Sequence, residues 1–194
     1  MEHIKTLIQY GNKKLPKTTA IFNMGSAMQC PSDTLGLCNV SAICYAKKAE
    51  RMYPQVLPYR QRQRDKWLKT DSFDLVTELV EAFNKKRTKP THLRLNEAGD
   101  FYSQACVDKA EYIAQCLKHV GVNVYIYTAR KDLDFSQCKY LVINGSGFRK
   151  EGVNRSFTAV DDVTQGNDFV CLNDCTICDK CSINDNENIV VGKH

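Results

Sequence analysis

The sequence predicts an α/β fold in one domain: a reduced or incomplete (β/α) barrel-like core over residues 20–170, followed by a cysteine-rich tail over residues 171–181. Three observations carry that expectation. Apolar residues recur at helical spacing in stretches of about 15 residues that alternate with short strand-like runs, the pattern of parallel β-α units. Three polar motifs each follow a strand-like run, the place where ligands collect in such folds because connecting loops and helix amino termini converge there. Seven of the ten cysteines fall into two groups far apart in sequence, Cys30, Cys38 and Cys44, then Cys171, Cys175, Cys178 and Cys181.

At 194 residues and 43% hydrophobic content the chain can bury one substantial core, and no low-complexity linker divides it, so residues 1–194 are read as a single domain. In the segment 47–69, Pro54 and Pro58 predict two short helices with an extended joint. Phe73, Val76, Leu79, Val80 and Phe83 then recur at helical spacing behind Asp71 and Ser72, either of which can accept the unpaired amides of a first turn. Thr91–Asn96 alternates as a strand. A second helix follows from Ser103, with Val107, Ala110, Ala114 and Leu117 on one face and Gly121 placed to end it. Val122–Thr128 has strong strand composition, and further strands are expected at Tyr140–Asn144, Phe157–Val160 and Phe169–Leu172.

The polar motifs after these strands are Glu97-Ala98-Gly99-Asp100, Ala129-Arg130-Lys131-Asp132 and Asn144-Gly145-Ser146-Gly147. Arg130 suits a carboxylate or phosphate, and Glu97 or Asp100 suits an amino group or hydroxyls. A structural ion pair or loop cap is the alternative for each.

Met1–Tyr10 carries no run long enough for a signal-peptide core or a membrane span, so the expectation is a cytoplasmic chain without a membrane partner. Thiols stay reduced there, and a dense cysteine pattern then points to metal ligation or catalysis rather than disulfides. None of His3, His92, His119 and His194 lies near a cysteine pair at zinc-finger spacing, which moves the expectation from zinc toward iron–sulfur. In Cys171-x3-Cys175-x2-Cys178-x2-Cys181 the short gaps let thiolates turn toward one centre, a [4Fe–4S] cluster or, as the alternative, zinc. Cys30-x7-Cys38-x5-Cys44 is less specific: three ligands of a cluster with one open iron, or separate buried thiols. One cluster, two clusters, or one shared between the two groups all remain open. Cys106, Cys116 and Cys138 read as small apolar core residues.

The net charge is +5, but residues 47–69 hold Lys47, Lys48, Arg51, Arg60, Arg62, Arg64, Lys66 and Lys69 against Glu50 and Asp65. Interleaved with Tyr45, Tyr53, Tyr59 and Trp67, this segment suits a nucleic-acid partner. The alternative is a solvated helix face with its aromatic residues packed inward. Residues 161–188 are acidic.

The succession Asn23-Met24-Gly25-Ser26, Cys30-Pro31-Ser32, Gly36-Leu37-Cys38, Cys44-Tyr45-Ala46-Lys47-Lys48-Ala49-Glu50, Val56-Leu57-Pro58-Tyr59-Arg60, Arg94-Leu95-Asn96-Glu97-Ala98-Gly99-Asp100-Phe101 and Tyr127-Thr128-Ala129-Arg130 resembles the gene-product-88 family of phage and mobile-element proteins. The likeness runs from about residue 20 to 190 and includes the rear cysteines. It implies viral origin, iron–sulfur content and, for a phage-encoded chain, the host cytoplasm. A more distant resemblance is to radical S-adenosylmethionine enzymes. It implies Cys30, Cys38 and Cys44 as cluster ligands, Glu97, Gly99 and Asp100 as cofactor neighbours, S-adenosylmethionine as a second cofactor and an electron donor as partner. The expectation is therefore a [4Fe–4S] protein of phage type with radical or redox chemistry on a substrate the sequence does not name. The alternatives are a non-catalytic cluster protein that binds nucleic acid or a host factor, and a zinc-stabilised adaptor.

Overall fold

Alternation in the strands and 3.6-residue periodicity in the helices together determine which face of the sheet each element covers. A computed structural model describes residues 2–164 and 166–193. The strands are β1 (Gln9–Tyr10), β2 (Thr19–Phe22), β3 (His92–Leu95), β4 (Asn123–Thr128), β5 (Leu141–Ser146), β6 (Arg155–Val160), β7 (Phe169–Val170) and β8 (Ile189–Gly192). They form one sheet in the order β1-β2-β3-β4-β5-β6-β8-β7, parallel at every pairing except β1 with β2. The helices are α1 (Pro31–Thr34), α2 (Tyr45–Met52), α3 (Val56–Lys69), α4 (Ser72–Asn84) and α5 (Gln104–Lys118). The mixed α/β class expected from sequence is present, with parallel neighbours following chain order from β2 to β6.

Register sorts the strand residues into two faces. Leu93 lies beside Ala20 and Val124, and Leu95 beside Phe22 and Ile126. Val124 and Ile126 in turn lie beside Leu141 and Ile143. All of these are buried in one core with Leu75 and Leu79 of α4 and Val107, Ala110, Ile113 and Leu117 of α5. The α5 register read from sequence is thus the register that packs, whereas in α4 it holds at Leu79 and Phe83 but Phe73 is exposed and Leu75 and Ala82 enter the core instead. Asp71 caps α4 by accepting from the Asp74 amide at 3.0 Å, and Gly121, at φ 78°, turns the chain after α5. Trp67 of α3 joins the same core, its ring 6.4 Å from that of Phe22.

The segment 47–69 forms two helices joined at 53–55, as expected, but Pro58 lies inside the first turn of α3 rather than ending a helix. Proline is tolerated there because the first-turn amides lack intrahelical acceptors anyway. The core also reaches beyond 20–170, taking in Ile4, Leu7 and, on β8, Val190 among the buried apolar residues.

The other face of the sheet presents His92 and Arg94 of β3, Tyr125 and Tyr127 of β4, Asn144 of β5 and Arg155 of β6. The segment following β7, which includes a short 3-10 helix at Lys180–Ser182, lies over it. Asn144 Nδ2 donates to the Cys181 carbonyl at 2.9 Å and to Ile126 O at 3.0 Å. Arg155, whose side chain is fully buried, donates to the carbonyls of Lys180, Ile183 and Asp185 and pairs with the Asp185 carboxylate at 3.1 Å. Acceptors at both terminal nitrogens and a carboxylate partner stabilise this buried guanidinium, whose Nε has no acceptor. Among the described residues, no helix is long and apolar enough to cross a membrane.

Candidate metal centres

The front cysteines sit on the connection from β2 to α2, and that connection is held from three sides. After β2, the Met24 amide donates to Asn96 Oδ1 at 2.7 Å, and the Ala98 amide donates to Asn23 Oδ1 at 2.9 Å, so the loops after β2 and β3 exchange side-chain caps. Gly99, at φ 77°, allows the loops to touch: a Cβ there would stand 2.9 Å from Gly25 O. From α2, Glu50 accepts from the amides of Ala27 at 2.7 Å and Met28 at 2.9 Å. Arg60 of α3 pairs with Glu50 at 2.8 Å and also donates to Ala46 O at 3.0 Å. Third, the Ser32 hydroxyl donates to the buried Asp100 carboxylate, which also accepts from Thr128 Oγ1 at 2.7 Å, the Ala129 amide at 2.9 Å and the Phe101 amide at 2.8 Å.

Asp100 is therefore the node that ties the Cys30 loop to the carboxyl ends of β3 and β4. Burial pushes its carboxyl pKa up, against the four hydrogen bonds that favour the charged form. Cys30 and Cys44 each immediately precede a helix, α1 and α2. Burial, and next the Asp100 charge, push the Cys30 thiol up to about 12, while the amides of Asp33 and Ser32 act in the opposite sense. Burial likewise raises Cys38, which feels both Cys44 and Asp100. Cys30 feels Cys38 in turn, so the three thiols lie within electrostatic reach in the order 30, 38, 44. A thiol raised as Cys30 is could bind a metal only by releasing its proton.

The rear cysteines gather differently. Cys171, Cys175, Cys178 and Cys181 line one cavity of about 380 Å³ between their loop and the sheet, and Arg94, Tyr125 and Tyr127 line it from the sheet side. The front cysteines do not line this cavity. All four rear thiols are half-buried. Burial pushes Cys181 up to about 11, opposed by a hydrogen bond from the Tyr127 hydroxyl. Burial raises Cys175 too, opposed by the Arg94 charge. The Arg94 guanidinium stands 5.0 Å from the Tyr127 ring centroid. Its Nη2 reaches the Tyr45 hydroxyl at 3.5 Å, and its buried Nε has no partner. Tyr45, next to Cys44, donates to Glu97 O at 2.8 Å on the loop after β3.

Among the described residues, no three His, Cys, Asp or Glu side chains stand close enough to hold a single metal ion. Ligands on separate corners of a cubane are spaced more widely than the ligands of one ion.

The remaining expected site residues have protein partners. Glu97 accepts from Asn12 Nδ2 at 2.6 Å. Arg130 makes a two-point pair with Asp132, 2.8 Å at both oxygens, and donates to Phe101 O, a clamp on the loop after β4. In the 47–69 segment, Arg60 and Lys66 are buried against Glu50 and Glu78, and Lys47, Arg62, Arg64 and Lys69 also pair with carboxylates. The row of cations that suggested a nucleic-acid groove is largely engaged within the protein. Arg94, Tyr125 and Tyr127 were not among the expected site residues. Their signal lay in the non-core positions of two adjacent strands, His92-x-Arg94 and Tyr125-x-Tyr127, where a face covered by polar chain replaces a helix-covered one.

A family model described as gene product 88 matches residues 3–146. The match starts earlier than the likeness read from sequence and stops short of the rear cysteines. No curated protein and no solved structure matches the chain.

Proposed function

The chain belongs to the gene product 88 family, and we propose that it is an iron–sulfur protein that holds [4Fe–4S] clusters on its two cysteine groups, with one-electron chemistry as its activity. The observation that carries this reading is the gathering of all four rear cysteines around one cavity of about 380 Å³ on the sheet face that the segment after β7 covers. Four thiolates complete a cubane, whereas the three front thiols leave one iron free for an exogenous ligand. When bound, a cluster supplies one-electron transfer at a potential set by charge, hydrogen bonds and burial.

Each part of the chain has a distinct task in this reading. Glu50, Arg60 and Asp100 fix the loop that carries Cys30, and Asn144 and Arg155 hold the rear loop against the sheet and limit water access. The strand order suits a reduced (β/α) barrel, in which the front site lies at the carboxyl ends of the strands. All ten cysteines are free, which suits a reducing compartment such as a cytoplasm. S-adenosylmethionine is the exogenous ligand to try first at the front site.

The test is anaerobic purification with iron, sulfide and zinc quantification, followed by electron paramagnetic resonance of the reduced protein. About eight irons per chain is the expected result and about four would mean one cluster, by cubane stoichiometry. Serine at Cys175 and Cys178 should remove the rear share alone. Stoichiometric zinc without acid-labile sulfide would overturn the reading in favour of a zinc-stabilised adaptor. A reduced-state spectrum altered by added S-adenosylmethionine would place an open iron at Cys30, Cys38 and Cys44, if the change is lost when those three are serine.

A further inference from the structure

Arg94 occupies a central strand, between Ile21 and Tyr125 in register, on the sheet face that the rear cysteine loop covers. Among the described residues, no carboxylate stands within ion-pair distance of its guanidinium, although the buried Arg60, Lys66 and Arg155 each have one: Glu50, Glu78 and Asp185. What Arg94 has instead is a tyrosine hydroxyl at 3.5 Å and a tyrosine ring; its buried Nε, like that of Arg155, has no acceptor. The guanidinium is half-buried and keeps hydrogen-bonding capacity that no protein group uses. An anion received by the cavity that Arg94 lines would use it.

We infer that Arg94 is the cationic partner of an anionic [4Fe–4S] centre seated in the rear cavity, and that Tyr127 donates a hydrogen bond to one of its thiolates, Cys181. The inference rests on the iron–sulfur reading above and assigns two positioning residues to it. The four thiolate charges outweigh the positive charge of a cubane core, so the ligated centre is anionic, and one-electron reduction adds a further negative charge. A fixed cation at the cavity wall therefore favours the reduced form, as does a hydrogen bond to a ligating sulfur. Tyr127 and Arg94 lie on adjacent strands, and the stacking of the guanidinium on the Tyr127 ring holds both in place.

The experiment is a potentiometric titration of the full-length protein, monitored by electron paramagnetic resonance. The rear signal is identified as the one that Cys178→Ser abolishes. Arg94→Gln should weaken reduction of that centre tenfold or more, a fall of about 59 mV for a one-electron couple. Arg94→Lys, which keeps the charge, should recover most of the shift. Tyr127→Phe, which removes one oxygen and leaves the packing, should move the potential the same way by a smaller amount, and it stands as the decisive variant if Arg94→Gln does not fold.

An iron-replete protein whose rear potential is unmoved in the readable variants would overturn this assignment alone. It would mean that Arg94 serves another anion, such as a substrate carboxylate or phosphate. Wild-type protein without iron or sulfide would overturn it together with the iron–sulfur reading.

Discussion

Glu50 makes the most exposed test of how the front loop is held. Its carboxylate faces Arg60 at 2.8 Å with 1% of its side chain exposed, against 7% for Arg60, and it also accepts the Ala27 and Met28 amides. Glu50→Ala would strand a buried guanidinium, a loss of about 3–5 kcal/mol. The two amides would lose their acceptor as well, each worth about 1–3 kcal/mol if kept from water. Water entering the vacated space offsets part of this, so about 4 kcal/mol is the working figure, a large share of the 5–15 kcal/mol typical of folded domains. With a urea dependence of about 2.5 kcal/mol per molar, the unfolding midpoint should fall by about 1.6 M. Trp67, the one tryptophan in the chain and buried on α3, reports the transition by fluorescence. Adding Arg60→Met removes the stranded charge, so the double variant should be more stable than Glu50→Ala alone. A loss under about 1 kcal/mol, as for an exposed pair, or a double variant no better than the single, would refute the reasoning.

Gly99→Ala should cost about 1–3 kcal/mol for the left-handed backbone alone, and more because the new methyl meets Gly25 O at 2.9 Å; an unchanged thermal midpoint would count against the interlocked loops. Arg155→Met should release the rear loop, seen as protease cleavage within residues 171–188 under conditions that leave the wild type intact. Glu78 gives a pH test. Burial pushes its carboxyl up, but the Lys66 ammonium and the Ile4 amide outweigh burial and hold it below its ordinary value. The folded chain therefore takes up that proton less readily than the unfolded chain, and the stabilisation is complete above the ordinary carboxylate range and lost as pH falls through the folded value. Glu78→Gln should accordingly lose less stability than wild type between neutral and acidic pH in paired urea titrations, and an equal loss would count against the pair.

The elements that sequence reveals most clearly are those whose two faces differ. β3 and β4 alternate because one face meets helices and the other a polar loop, and α4 and α5 carry a continuous apolar stripe. β2 was missed because Thr19–Phe22 is buried throughout and too short for an alternation to stand out. β8 was missed beside it in the same way, as a four-residue run near the chain end. The cysteine groups were legible from spacing, and the loops after β3 and β4 from their polar motifs. Glu50 and Arg60 looked like members of a charged helix face because their burial arises from the β2 loop, which is distant in sequence. Arg94 was legible as a strand residue but not as a site residue, since no local feature tells which strand face another segment will cover.

The acceptors that seat the rear loop on Arg155 belong to residues 180–185, whereas the strands bearing Arg94, Tyr125 and Tyr127 are complete by residue 128. During synthesis the sheet face is thus made long before its lid emerges from the ribosome. Until residues 180–185 are made, Arg155 lacks the carbonyls and the carboxylate that it binds in the folded chain, so this face of the sheet is the last to close.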